Sequence, residues 1–458
     1  MRHVKIKPFE VSPKSGAAIF FSLLLAGYSV QESHAGELAY GIGYFGEYSD
    51  NILRTSSAPV SDMIHSAVLG VAYRENGPAL DAYLLAQAEY RDYKKDTFDD
   101  GTFYYADVSA TWRILPQRLT WYLTDRYGQV LTDVTRSDTQ TNRTNSNVLN
   151  TGPDLIFRLG GVNTLVFGLR YGNATYDVGG VGDTRYGASA RWQYASDPET
   201  TYSLNYEGDK VQYDDGALIN GIPADNFVSH DYFIRAEKRR AYTHFVLDLG
   251  STRIERERTE ATSGYLARLT WTQQIATGTS AGIRLASEYL DAGTVLLSTA
   301  TSPTPAPGDP PASPETGEAT NDLFYSKRAE VYYNRIGSSF DFNSSLSYND
   351  IEYEIVRIQD RRESGVYLDL SYRPFSLLTA TLYTSHLDIQ YQQSPARNDR
   401  DNEAGLRLTY RLNTKLNAAL DGRRTWRYST DATREYIDRR LMFWLTYSSS
   451  SLFTPARR

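Results

Sequence analysis

Residues 79–91 read ALDAYLLAQAEYR, and at period two they split into two unlike faces. Leu80, Ala82, Leu84, Ala86, Ala88 and Tyr90 fall on one side, and Asp81, Tyr83, Leu85, Gln87, Glu89 and Arg91 on the other. Successive strand side chains point to opposite faces, so this segment carries one apolar face and one largely polar face. A soluble sandwich produces the same pattern with its apolar face turned inward. Repetition separates the two cases. A dyad of about ten residues returns along almost the whole chain, as in a membrane barrel with lipid outside and water inside.

Leu165, Phe167, Leu169 and Tyr171 oppose Val166, Gly168, Arg170 and Gly172. Tyr186, Ala188, Ala190, Trp192 and Tyr194 oppose Arg185, Gly187, Ser189, Arg191 and Gln193. The same alternation holds for Val366–Tyr372 and Ala404–Tyr410, with aromatics toward the ends of the apolar faces, as interfacial girdles require. Short connections rich in turn-formers recur at 75–78, 115–118, 160–163, 196–199, 238–241, 277–279, 335–338, 373–376 and 412–414. Long polar connections alternate with them, at 49–61, 93–101, 135–145, 177–183, 209–226, 254–261, 298–321, 357–364, 392–401 and 429–434. In outer-membrane barrels short turns face the periplasm and long loops face outside. These nine turns and ten loops predict an all-β, transmembrane, antiparallel up-and-down β-barrel of 18 to 20 strands.

Composition narrows the alternatives. No internal run approaches the roughly 18 apolar residues of a membrane-spanning helix. Absent cysteine excludes disulfides and thiolate metal sites, and 36 tyrosines suit both interfacial girdles and sugar-stacking surfaces. Arg2, Lys5, Lys7 and Lys14 precede a short apolar run over 17–26, and Ser33-His34-Ala35 offers small residues at a cleavage site. Residues 1–35 are therefore expected to be a cleaved signal peptide, leaving 36–458 as the barrel domain. Their removal takes four bases and two acids from a chain of formal charge −7, leaving −9. A net-acidic chain without a basic stripe gives no support for nucleic-acid binding.

Tyr48-Ser49-Asp50-Asn51-Ile52-Leu53-Arg54, followed by Pro59-Val60-Ser61-Asp62, resembles the N-terminus of exopolysaccharide-operon outer-membrane proteins of the EpsL type, in the beta-barrel porin 2 group. Beyond this stretch the resemblance rests on length and strand rhythm. It implies a self-contained barrel serving polysaccharide export, which composition and spacing do not show by themselves.

Conventional sites are weak by comparison. Gly41-x-Gly43-x-x-Gly46 matches a dinucleotide fingerprint by letter but lies inside a strand with no helix after it. Ser229-His230-Asp231 cannot act as a triad within a strand, because His230 faces away from its neighbours. His244 and His386 stand alone as wall or rim residues. Asp96, Asp99 and Asp100, and again Asp214 and Asp215, precede glycines without the spacing of a calcium loop, so no metal or other cofactor is expected. Ser298–Asn321, with six prolines between Pro303 and Pro314, reads as an extracellular spacer or as a lid over a pore.

The lining is the serious candidate. Inward positions carry Gln87, Glu89, Arg91, Arg170, Arg185, Arg191, Glu207, Arg268, Arg284, Glu288, Arg328, Glu330, Asp369, Arg373, Arg407, Arg411, Asp421 and Arg423. Tyr83, Tyr332 and Tyr367 lie among them. Both signs are interspersed, a wall that offers hydrogen bonds to hydroxyls and aromatic faces to sugar rings through many weak contacts. Any wide barrel also needs a polar lining simply to hold water. The expected function is export of exopolysaccharide, with a general diffusion porin as the alternative and an outer-membrane hydrolase or structural barrel behind it. Expected partners are outer-membrane lipid and lipopolysaccharide, the polysaccharide cargo, periplasmic export components, and the insertion machinery during biogenesis.

Overall fold

A computed structural model describes residues 36–298, 319, 322–392 and 396–450. The expected signal segment and most of the proline-rich stretch lie outside the described residues. In chain order the first strands are β1 (Glu37–Ser49), β2 (Asp62–Asn76), β3 (Leu80–Tyr93), β4 (Gly101–Leu115), β5 (Leu119–Leu131), β6 (Arg143–Leu159), β7 (Asn163–Tyr176), β8 (Asp183–Ala195) and β9 (Thr200–Tyr213). A small hairpin, β10 (Leu218–Ile219) and β11 (Ile222–Pro223), rides in the next loop. The wall resumes with β12 (Phe227–Arg239), β13 (Thr243–Arg256), β14 (Thr262–Ala276), β15 (Thr279–Leu290) and, after helix α1 (Ala292–Ser298), β16 (Phe324–Ile336). It ends with β17 (Phe340–Tyr353), β18 (Arg361–Phe375), β19 (Leu378–Tyr391), β20 (Arg397–Arg411), β21 (Leu416–Ser429) and β22 (Tyr436–Ser448).

The small hairpin apart, these strands form one 20-stranded antiparallel sheet, and β1 pairs with both β2 and β22. The sheet therefore closes, which leaves no edge and satisfies the backbone between strands. Twenty is the larger of the two expected counts. All nine expected turns and all ten expected loops are present. At the β14–β15 turn, Gly278 adopts φ +69°, and a Cβ there would lie 2.2 Å from the carbonyl of Ile336. Glycine is required at that point by both backbone angle and space.

Rungs fix the two faces. Phe167 sits beside Ala190, Leu169 beside Ala188 and Tyr171 beside Tyr186, all outward and apolar. The outer face ends in aromatics whose polar atoms find partners: Trp192 Nε1 donates to Asn163 at 3.1 Å and Trp121 Nε1 to Thr151 at 2.8 Å, both near the periplasmic turns. Phe340 stacks on Tyr372 at 4.6 Å in the same zone. A closed barrel with an apolar outer band between aromatic girdles is an outer-membrane protein. Among the described residues no helix is long and apolar enough to cross a membrane.

The Tyr48–Arg54 stretch closes this cylinder at its outer end. The ladder between β1 and β22 runs only from Gly41 opposite Ser448 to Ser49 opposite Arg440. Beyond it, Asp50 exchanges backbone and side-chain bonds with Arg439, at 2.7 and 3.1 Å. Buried Asn51 donates to the carbonyls of Thr55 and Ile437, at 2.8 and 3.0 Å. Ser49 and Arg54 both reach the buried carboxylate of Asp438. Gly46, by contrast, is not crowded: a Cβ there would make ordinary contact with Met63 Cε at 3.6 Å.

The described residues between β15 and β16 lean inward at the outer end of the barrel. Helix α1 lies against β6, and the Ala319 amide donates to the Leu131 carbonyl at 2.8 Å. Ala319 packs on Val130, Val148 and Ala174, while Leu323 packs on Val211, Phe227 and Ile254. The described flanks of the proline-rich stretch thus act as a strap over the lumen. Of 298–321 itself, only Ser298 and Ala319 are described.

Candidate functional site

Beneath the strap lies a luminal cavity of about 520 Å³, walled by strands β6 to β9 and β12 to β15. Five of the residues expected from sequence meet there: Arg170, Arg185, Arg191, Glu207 and Arg268. The side formed by β7 and β8 is basic. Arg170 Nη2 lies 2.7 Å from Asp154, and Arg191 Nε donates to Asn205 Oδ1 at 3.0 Å. The side formed by β9 and β12 is acidic, with Glu207 directly opposite Asp231 on one rung and Asp209 two residues along.

Arg185 links this wall to the strap. Asp183 holds its guanidinium through Nε at 2.6 Å and Nη2 at 2.9 Å. Nη2 also lies 2.6 Å from Asp291, and Nη1 donates to the Thr294 hydroxyl at 3.3 Å. Burial would raise the pKa of Asp291, but the Arg185 charge and the bonds from Arg185 and Thr294 outweigh it and hold the carboxyl below its ordinary range. At the other end of the strap, Asp322 accepts the amides of Ile355 and Val356 at 2.8 and 2.7 Å. Burial dominates there and pushes the Asp322 pKa up to about 6.

A belt of alternating charge runs along the wall. Arg235 grips Asp248 with two parallel bonds, at 2.6 and 2.7 Å. Arg268 stands 3.9 Å from Asp248 and 2.6 Å from Glu288, whose other oxygen takes Arg328 at 2.6 Å. Toward the periplasm, Arg284 pairs with Glu330 at 2.7 Å and lies over the Tyr332 ring at 4.3 Å. Each arginine of this belt thus has a carboxylate on a neighbouring strand.

The remaining expected residues are spread around the ring. Arg91 grips Glu89 with two 2.8 Å bonds, reaches Gln140 in a loop and lies over Phe103, while Gln87 is buried beside them on the same face. Tyr83 lines a second cavity of about 290 Å³ with Arg74, Asp107 and Arg126. Tyr367 points inward and is 42% exposed to the lumen, and Asp369 accepts from Asn343 at 3.3 Å. Arg407 meets Asp421 at 2.9 Å, and Tyr383 donates to the same carboxylate. Arg423 stands opposite Arg440 on one rung. Arg373 clamps the turn carboxylate Asp341 at the periplasmic rim, and Arg411 ends β20 there too. Those two lie outside the lumen's middle, so the expected set is a wall and not a single site.

Asp248, Arg235, Asp154, Asp183 and Asp291 were not foreseen. The first four sit at the same alternating phase as the recognised residues, which is the signal that could have found them. Asp291 lies in a loop and has no periodic signal. Ser229 and Asp231 face the lumen, whereas His230 faces outward, where its Nδ1 lies 3.0 Å from the Tyr206 hydroxyl. His244 is not alone as expected: its Nε2 lies 3.2 Å from Glu237 at the periplasmic rim. In the acidic loop, Asp100 accepts the Tyr93 amide at 2.8 Å, a turn-closing bond.

No protein-family model matches the chain, and no curated protein matches its sequence. Among solved structures it is similar to a mutant of the ferric enterobactin receptor PfeA of Pseudomonas aeruginosa, with TM-score 0.47, 10% identity, and 91% of this chain and 81% of that one covered. It is similar to the siderophore receptor PirA of the same organism, with TM-score 0.47, 10% identity and coverage of 92% and 82%. The iron transporter FrpB of Neisseria meningitidis gives TM-score 0.45, 12% identity and coverage of 91% and 83%. The barrel's own closed ladder, and not these likenesses, fixes the fold.

Proposed function

We propose that this barrel is an outer-membrane channel for export of an exopolysaccharide. The observation that carries the reading is the self-neutralised wall, in which arginines of one strand meet carboxylates of the next. Such a wall exerts little net field on a passing chain, yet offers donors, acceptors and the exposed ring of Tyr367. A barrel of this strand number is wide enough for a water-filled lumen. The resemblance at Tyr48–Arg54 supports the same reading. Cargo would pass the strap at the outer mouth after delivery by periplasmic export components.

Secreted polymer in a deletion strain tests the proposal. Loss of the protein should stop surface polysaccharide, complementation should restore it, and Arg191→Glu should alter it while the barrel still folds. Normal secretion from a deletion strain with no redundant barrel would remove the export role. The inward strap favours a second reading, a diffusion porin with a narrowed mouth. That reading predicts steady disaccharide uptake by proteoliposomes together with normal secretion in the deletion strain.

A further inference from the structure

The outer face carries a feature that export does not use. On β21 the outward residues climb from Ala418 through Leu420 and Gly422 to Arg424, Trp426 and Tyr428. On β22 they climb from Leu445 through Phe443 and Leu441 to Arg439. Rung by rung, Leu420 meets Phe443, Gly422 meets Leu441, and then Arg424 meets Arg439. Two arginines therefore face each other on the first polar rung above the apolar band, at the depth of the outer leaflet's headgroups.

Like charges directly opposite each other on a sheet are destabilising, so this rung needs an anion. Asp50 answers Arg439 at 3.1 Å, and farther out, opposite Tyr428, Arg400 of β20 is answered by Asp388 of β19 at 3.2 Å. Among the described residues Arg424 has no carboxylate within ion-pair distance; its guanidinium lies over Trp426 at 5.0 Å. Several other outward cations near this rim are matched: Lys94 by Asp92, Arg253 by Glu255, Lys327 by Glu352 and Arg362 by Asp350. Lys210 on β9 is unmatched too, but it stands opposite Tyr186 and Val228 rather than a second cation.

We infer that Arg424 and Arg439 form a binding site for the phosphate monoester of an outer-leaflet glycolipid. Arginine forks suit phosphate oxygens, and the indole of Trp426 holds one fork in place from the side. Tyr428, 55% exposed on the same face, extends the platform toward the sugar that carries the phosphate. The site rests on the barrel reading alone and stands whether or not the lumen exports polymer.

Native mass spectrometry of the folded barrel in detergent tests it, with bis-phosphorylated lipid A, the same lipid dephosphorylated, phosphatidylglycerol and inorganic phosphate as probes. The wild-type protein should retain phosphorylated lipid A over the other three. Arg424→Glu should weaken retention about tenfold, the scale of one charge-assisted contact, and Arg424→Lys should weaken it less. Lys210→Glu makes the same charge change elsewhere on the rim and should leave retention intact. Equal loss in Lys210→Glu would mean a diffuse field and overturn the site. Unchanged retention in Arg424→Glu would overturn it as well. Equal retention of phosphatidylglycerol, or displacement of lipid A by millimolar inorganic phosphate, would reduce it to a general anion surface and overturn the glycolipid assignment. Should Arg424→Glu fail to fold, Arg424→Ala and the dephosphorylated lipid on wild-type protein decide the question.

Discussion

The salt link between Arg185 and Asp291 ties the helical flank of the strap to the wall, so its contribution can be tested by one side chain. Asp291→Ala removes the strap's carboxylate and leaves the Arg185–Asp183 pair within the wall. Single-channel current in planar bilayers should rise, while the folded band on an unboiled gel should persist. Unchanged current would mean that the strap does not depend on this link. Asp322 gives a titratable counterpart. Its folded pKa of about 6 lies above the 3.8 of an unperturbed aspartate, so the docked strap prefers the acid form. That preference is fully present below about pH 4 and is lost as pH rises through 6, a span on the order of 3 kcal/mol. Glu354 lies nearby and pushes in the same direction. Current should therefore fall as pH drops from 7.5 to 5, and Asp322→Asn should flatten the response. A pH-independent wild-type current would refute the titration.

Strands are the level at which sequence and structure agree most closely. The face of Leu165, Phe167, Leu169 and Tyr171 was legible because lipid tolerates only one kind of side chain there and period two sorts them. Some cross-strand partners are legible too, because a short turn sets its hairpin's register. Arg407 faces Asp421 across the turn at 412–415, and Arg235 faces Asp248 across 240–242. Pairs joined across a long loop, such as Arg284 with Glu330, do not follow from loop sequence because length does not fix register. The strap was illegible for a related reason. Proline-rich composition sets local geometry but not a partner on the wall, so the link from Asp291, at its flank, to Arg185 has no signal in the sequence. Face assignment gives a direct prediction. Leu169→Arg should cost about 2–4 kcal/mol near the bilayer midplane and reduce insertion, whereas Arg191→Glu should leave folding yield near wild type. Refolding yields into phospholipid vesicles compare them, and equal yields would show that the faces are misassigned.

A barrel is one cooperative object only if its first and last strands hold, and this one holds them unevenly. The β1–β22 ladder spans nine rungs, from Gly41 to Ser49, against thirteen for β1 and β2. At the periplasmic end, Ser449 donates its amide to Tyr40 and Ser450 bonds Glu37. At the outer end, the stretch that resembles exopolysaccharide-operon barrels supplies the rest of the closure. Ser49, Asp50, Asn51 and Arg54 all bond β22, and Ile52 packs with Ile64 and Tyr93 under the loop. That stretch has a structural task whatever the cargo is, and its resemblance bears on how such barrels close as much as on what they carry. Asn51→Ala separates the two roles. It leaves the carbonyls of Thr55 and Ile437 without their donor inside a buried contact, a loss of about 1–3 kcal/mol. The temperature at which the fast-migrating folded band gives way to the slow unfolded band should fall, and polymer secretion at growth temperature should persist. An unchanged transition would show that the clasp does not limit closure. Secretion lost from a barrel that melts as wild type does would assign the stretch to transport instead.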